Sequence, residues 1–315
     1  MHKLSISVGD STKFNVEKLD RNLQQAFAEL VLALTGKYGN QLLSIVVFGS
    51  ATTGDWIRGK SDIDFIIVIN DKRKKKEVEN FTNDLLVRLS TKYDLRLTQT
   101  SSAFKKTRNP VLNAVFSIES FMTFGKPFFV LARDQIKADR GEIRDAKIMF
   151  VTSIFDSIAI FATKLKQTGC TIYGEDILKE LNINRSTTEK MKALMAPLWL
   201  ILMSFAAFPL DASLALDHSI KATLWACEDV LFYLDQNLSS IKNEVLVLEK
   251  TLSDRGPIKF DHAKQALKLR LERREGMKIE KGRVARFLLQ TSFFVPSLYG
   301  HAVVSARITS RPETR

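Results

Sequence analysis

The segment Ser61-Asp62-Ile63-Asp64-Phe65-Ile66-Ile67-Val68 places two carboxylates, one residue apart, at the mouth of an apolar, β-branched run. Such a run reads as a buried strand. Strand side chains alternate between faces, so Asp62 and Asp64 share one face while Ile63 and Phe65 take the other. Neighbouring carboxylates repel, and ionising both on a packed strand is costly unless a cation lies between them. A hard divalent cation suits an all-oxygen pair, and Mg²⁺ commonly uses one or two carboxylates together with substrate phosphates. The plain alternative is an acidic, solvated strand mouth, because Asp-x-Asp is a short pattern.

The preceding segment narrows the choice. Leu42-Leu43-Ser44-Ile45-Val46-Val47-Phe48 is a second buried-strand run, and Gly49-Ser50 follows it, with Ser50 twelve residues before Asp62. A glycine at that point lets backbone approach a ligand closely. Ser50 and neighbouring N–H groups can hold phosphate oxygens. Gly-Ser alone is a plain turn. Both motifs within one strand–loop–strand unit point to a phosphate and metal site.

Val47-Phe48-Gly49-Ser50, the loop containing Gly54, and Ser61-Asp62-Ile63-Asp64-Phe65 together resemble the signature of the DNA polymerase β-type nucleotidyltransferase superfamily. The resemblance covers about residues 40–100. It implies transfer of a nucleoside monophosphate from an NTP to an acceptor, with release of pyrophosphate. It also implies that Asp62 and Asp64 hold a metal, Mg²⁺ or Mn²⁺, that grips the triphosphate. Gly49 and Ser50 would cradle phosphates. A third family carboxylate on a later strand is matched by Asp94, in Tyr93-Asp94-Leu95-Arg96-Leu97-Thr98, as partner to a second metal and to the acceptor hydroxyl. Glu119, in a helical-looking stretch, is the weaker rival. The loop reads Ala51-Thr52-Thr53 where minimal members often carry an Arg, so that phosphate contact is not carried over.

Periodicity extends the reading along the chain. Leu19, Leu23, Phe27 and Leu30 mark a helix over about 15–37, closed by Gly36 and Gly39. A helix follows over 75–90, then a strand over 93–98. Beyond Asp139 long helical patterns dominate. The expected fold class is α+β: a small mixed-sheet nucleotidyltransferase domain over 1–138, an all-α helical bundle domain over 139–308, and a disordered tail over 309–315. Residues 193–210 carry no charge and reach the lower length for a bilayer span. Pro197 and Pro209 near the two ends, and amphipathic flanks, favour a buried bundle helix over a membrane span.

A net charge of +12 favours phosphate-bearing partners. RNA, tRNA in particular, or a protein hydroxyl suits such a chain as acceptor better than a polycationic aminoglycoside. No sequence-reading DNA motif is present. Two basic stretches stand out: Lys72-Arg73-Lys74-Lys75-Lys76, expected as a solvated helix start, and 261–286, with nine Lys or Arg against four Asp or Glu. Either the second is a phosphate-backbone surface or its charges are ordinary solvent-facing ones. In Ile172-Tyr173-Gly174-Glu175-Asp176 a turn into the helical domain is the expectation, with acceptor binding by Glu175 as the alternative. Lys221 and Glu228 could share a helix face near a cleft, with Lys221 on a phosphate. Cys170 and Cys227 form no disulfide framework, and Met1-His2-Lys3-Leu4 begins no signal peptide, so a cytoplasmic setting is expected. Two other function classes are open. One is a non-catalytic nucleotide- or RNA-binding partner in a toxin–antitoxin pair. The other is a HEPN-like ribonuclease using Arg255 and His262.

Overall fold

The computed structural model describes residues 19–58, 61–97, 107–122, 127–137, 142–253 and 259–309. The chain divides into two compact units. The first comprises Met1–Ala103, Thr123–Phe150 and Phe161–Asn184, and the second Phe104–Met122, Val151–Ile160 and Arg185–Arg315.

The first unit is built on a four-stranded mixed sheet, with strands β1 (Leu42–Phe48), β2 (Asp64–Ile69), β3 (Phe128–Ala132) and β4 (Cys170–Gly174) in the order β3-β2-β1-β4. β1 runs antiparallel to both β2 and β4, whereas β2 and β3 are parallel. Helices α1 (Arg21–Tyr38) and α2 (Lys75–Tyr93) cover one face. Ile45, Val47, Phe65, Ile67, Phe128 and Val130 meet Leu23, Phe27, Leu30 and Leu86 there in a single apolar core. The Phe65 ring stands edge-on to Phe27 at 5.4 Å and stacks on Phe128 at 5.3 Å. Asp20 starts α1 by accepting a hydrogen bond from the Asn22 N–H.

Two strands differ from expectation. Of the segment 93–98, the described residues 93–97 form no strand. α2 runs through Tyr93, and Asp94 ends it in the left-handed conformation at φ 51°, ψ 53°. β4 was expected to be helical territory, yet it completes the sheet from beyond residue 138, so the two units do not part at 138. After α3 (Pro110–Met122), the helical stretch beyond Asp139 begins as two helices, α4 (Ala146–Ile154) and α5 (Ile158–Thr168). The expected tail beyond Thr309 lies outside the described residues.

Gly174 holds β4 against β1 at φ +75°, and a Cβ there would stand 1.9 Å from the Leu43 carbonyl oxygen. The neighbouring Glu175 N–H donates to that same oxygen at 2.9 Å, and the Ser44 hydroxyl donates to the Glu175 carbonyl at 2.7 Å. Glu175 is thus part of a strand-end turn, as the structural expectation had it. Gly174→Ala must displace backbone. It should lower stability by about 2–4 kcal/mol in a denaturant titration.

The second unit is helical. α8 (Ala212–Tyr233) is its axis, and α6 (Thr187–Ala193), α7 (Met195–Ala207), α9 (Ile241–Ser253), α10 (Asp261–Arg274) and α11 (Lys281–Thr309) pack onto it. α7, expected to be buried, covers only one face. Leu200, Ile201, Met203 and Ala207 are buried, while Leu202 is 60% and Phe205 42% exposed. By length and composition alone, Thr187–Ala207 and Lys281–Ala306 are apolar enough to cross a membrane, and the bent pair α4–α5 counts as a third.

Part of the charge in the basic stretches is paired. Arg73 forks onto Asp71 at 2.9–3.1 Å, and Lys75 reaches the buried Asp145 at 2.5 Å. Over 261–286, Arg273 forks onto Asp217 at 3.0 Å, Lys264 pairs with Glu249 at 2.7 Å and Arg283 with Glu272 at 3.1 Å.

Candidate active site

The sheet register builds the site. Phe48 pairs with Asp64 and Val46 with Ile66 across the antiparallel ladder. By alternation, Asp64 shares a face with Phe48 and Val46, opposite the α1/α2 core that takes Phe65. Asp62, just before β2, follows the same alternation: Asp62 and Asp64 are half-buried while Ile63 and Phe65 are buried. From Phe161 onward, α5 lies over this second face. The Phe161 ring meets Phe48 and Phe129 edge-on, each at 6.0 Å.

Gly49 turns the chain out of β1 at φ +73°, and a Cβ there would sit 3.2 Å from Asp64 Oδ2. Only a residue without a side chain therefore lets backbone lie this close to the carboxylate. Ser50 opens the one-turn helix Ser50–Thr53, where Thr52 N–H and hydroxyl both donate to the Gly49 carbonyl, at 3.1 and 2.9 Å. The Gly49 N–H points to the Thr168 hydroxyl at 3.5 Å, and the Thr52 and Thr53 N–H groups are spent on the Gly49 carbonyl, so Ser50 and the Ala51 N–H are the groups of this turn that could reach a phosphate. The loop is pinned at its far end, where Ile57 N–H donates to Ser61 Oγ at 3.0 Å and Ser61 N–H to the Ile57 carbonyl at 2.9 Å.

Asp64 is electrostatically uncomfortable. Burial raises its carboxyl pKa most, the adjacent Asp62 charge raises it further, and Lys164 opposes both; the outcome is about 7. A carboxylate pair forced together by a rigid strand is the donor set that a divalent cation relieves. The chemistry of these two residues fits such an ion.

Asp94 does not join them. At the α2 C-terminus its side chain is 93% exposed, 3.8 Å from Arg58 of the loop. Among the described residues, no group of three His, Cys, Asp or Glu is arranged to hold a metal. The strand expected to carry Asp94 does not form, and this removes the third-carboxylate assignment. Glu119 is also elsewhere. In the second unit it is buried against His218 at 3.0 Å and Lys221 at 2.7 Å, which ties up Lys221 as well. His262 is a half-buried residue packed among apolar and hydroxyl side chains. Its Nε2 lies 3.0 Å from the Thr291 and 3.3 Å from the Thr223 hydroxyl, its ring stacks on Phe287 at 4.5 Å, and burial pushes its pKa down to about 4. An imidazole held in these contacts serves packing, and Arg255, the other half of the expected pair, lies outside the described residues.

Lys164, whose charge acts on the Asp64 carboxyl, is a residue that sequence reasoning did not single out. Its signal is the helical spacing Phe161, Lys164, Thr168, which puts all three on one face of α5. That spacing is meaningful only once α5 is known to lie over the sheet.

Residues 29–110 match the family model of the nucleotidyltransferase domain. No curated protein matches the chain. Among solved structures, spectinomycin adenyltransferase AAD(9) from Enterococcus faecialis, with ATP and spectinomycin, is similar at 13% identity and a TM-score of 0.48, over 87% of this chain and 98% of that one. The matched stretch runs from within α1 through β1, the Gly49 turn and the Asp62–Asp64 strand, so residues 29–110 are similar to a nucleotidyltransferase domain.

Proposed function

We propose that this chain transfers a nucleoside monophosphate from an NTP to a hydroxyl of an RNA or protein acceptor, with a divalent cation, Mg²⁺ or Mn²⁺, held by Asp62 and Asp64. The observation that carries the proposal is the pairing of Phe48 with Asp64, which brings the Gly49 turn close to a carboxylate whose ionised form a bound cation would stabilise. The ion supplies charge neutralisation on the triphosphate, the main requirement of phosphoryl-type transfer. Ser50 and the Ala51 N–H would hold phosphate oxygens at the helix turn, the Thr52 and Thr53 N–H groups being bonded to the Gly49 carbonyl. Phe161 and Phe48 shut the apolar side of the site against water.

The acceptor follows from charge. A chain at +12 draws polyanions and repels polycations, which places RNA ahead of an aminoglycoside. Lys72, Lys74 and Lys76 are solvent-exposed and available for such contacts. α7 and α11 are read as bundle helices, each with a buried face on α8. The cytoplasmic setting is part of the same proposal, and Cys170 and Cys227 are both buried free thiols.

The test is incubation of the protein with each α-labelled NTP, Mg²⁺ or Mn²⁺, total RNA and a cell lysate. Label in an RNA or protein band identifies the acceptor class. Nucleotide binding without label in any fraction would reassign the protein as a binding module of the toxin–antitoxin kind.

A further inference from the structure

Two helices of the second unit turn apolar side chains outward. A surface helix ordinarily carries charge on its solvent side, and α10 does so with Asp261, Lys264 and Lys268. α7 and α11 do not. No Asp, Glu, Lys or Arg occurs over 193–210 or over 287–306. On α7 the exposed positions at helical spacing include Met195, Leu202 and Phe205. On α11 they are Leu289, 52% exposed, Phe293, 76%, and, past Pro296 and Gly300, Val304, 56%. From Leu289 to Val304 that stripe runs about 22 Å at ~1.5 Å per residue.

The two stripes lie side by side. α7 and α11 touch each other and both rest on α8. A short turn after Ala207 folds α8 back along α7. α11 follows α8 in the same direction, with Leu288 clustered on Ala215 and Ala207, and the Thr291 hydroxyl 3.2 Å from that of Thr223. α7 and α11 are therefore antiparallel neighbours. Counted from the Ala207–Leu288 cluster, Leu202 stands five residues before it and Phe293 five after, at matching height. One end of this surface is basic. Over 278–286 Lys278, Lys281, Arg283 and Arg286 stand against Glu280 alone, and all five are exposed. Arg283 pairs with Glu272 at 3.1 Å. Arg286 heads the apolar stripe one turn before Leu289, and the Lys281 ammonium lies over the Phe208 ring at 5.4 Å.

Both helices are long and apolar enough to cross a membrane, yet 44% of each apolar stretch is buried within the unit. Their inner faces rest on α8, which buries His218, Glu228 and Asp229. A span would turn that polar interior to lipid, so only the outer faces are open to it. Charge decides the partner. A second copy would set one basic rim against another, between chains that each carry +12. Anionic headgroups neutralise the rim while the acyl boundary takes the stripe. We infer that the outer faces of α7 and α11 form a docking surface for an anionic lipid bilayer: Leu202, Phe205, Leu289 and Phe293 enter the acyl boundary, and Lys278, Lys281 and Arg286 meet headgroup phosphates. The helices lie in the plane of the membrane without crossing it. This surface belongs to the second unit alone and does not depend on the carboxylate site.

The experiment is flotation of the full chain with vesicles of phosphatidylcholine alone and of phosphatidylcholine mixed equally with phosphatidylglycerol. The wild type should float with the mixed vesicles and stay behind with the neutral ones. Leu202→Glu with Phe293→Glu should weaken binding by about thirtyfold or more. Lys278→Gln with Arg286→Gln should weaken it by about tenfold or more. All four positions are exposed, and melting temperatures confirm that the variants fold. A second readout needs no charge in the stripe. Cys170 and Cys227 are buried, so an environment-sensitive fluorophore introduced through Phe293→Cys reports that position, and its emission should shift to the blue on adding mixed vesicles. Failure of the wild type to bind mixed vesicles, equal binding of both kinds, or an unmoved fluorophore together with undiminished binding by the Glu variant overturns the inference. So does a dimer in sedimentation that the Glu variant dissociates and that binds no vesicle, which would make the stripe an interface between copies.

Discussion

Asp64→Asn abolishes nucleotidyl transfer, by about 10³-fold or more, while the protein keeps its fold and melts no earlier than the wild type. The two halves of this result have one cause. The Asp64 carboxyl sits in a packed strand beside Asp62, and burial together with that neighbouring charge lifts its pKa from 3.8 to about 7. An ionised Asp64 is therefore a burden on the metal-free fold and an asset only to a cation. Asn keeps the shape, removes the burden and deletes the ligand. The pH dependence follows with a definite sign. Between about pH 4 and 7 the folded, metal-free protein holds a proton on Asp64 that the unfolded chain has released. Stability then falls as pH rises through that window, by on the order of 2–4 kcal/mol at most. Asp64→Asn flattens this decline, and Mg²⁺ at pH 8 raises the wild-type melting temperature but not that of the variant. Thermal melts of both proteins at pH 5 and pH 8, with and without Mg²⁺, check the stability half, and the labelled-NTP assay checks the other. Undiminished labelling by the variant would remove Asp64 from the chemistry.

The parts of this site that the sequence displayed are those encoded over short range. β1 and β2 are strong β-branched runs, the glycine turn sits between them, and period-2 alternation alone puts Asp62 and Asp64 on one face. The parts it concealed depend on distant pairing. β4 is drawn from Cys170–Gly174 and pairs with β1 across more than a hundred residues, with nothing local in Cys170-Thr171-Ile172-Tyr173-Gly174 to name its partner. β3, at Phe128–Ala132, is a short apolar run whose parallel pairing with β2 was equally invisible. Asp94 shows the opposite error. Leu95 and Leu97 are both buried and alternate as a strand would, but they fill the core beneath the end of α2 without joining the sheet. Asp94 takes the left-handed cap that Asp tolerates better than most residues, and its side chain points to solvent. The alternation was real, but it reported burial and said nothing about pairing.

Glu119→Gln should be the most destabilising conservative change in the helical unit, costing about 3–5 kcal/mol. Glu119 on α3 is 2% exposed, and it faces two groups on α8: His218, wholly buried, at 3.0 Å, and Lys221 at 2.7 Å. Burial alone would raise the Glu119 pKa. Lys221 and His218 outweigh it and hold the carboxyl near 2. A carboxyl whose folded pKa lies below its ordinary 4.5 stabilises the fold above that ordinary value, and the contribution disappears as pH falls through about 2. The wild-type unit should accordingly lose stability on acidification below about pH 4.5, and Glu119→Gln should be weaker at neutral pH yet show less of that acid loss. Lys221→Met adds the discriminating step. If the cost of Glu119→Gln comes from stranding the ammonium, then the double variant recovers part of it, and the coupling measured by the cycle is of the order of 1–3 kcal/mol. Additive losses would mean instead that Glu119 fastens α3 to α8 through His218 alone, and denaturant titrations of the four proteins at pH 7 decide between the two.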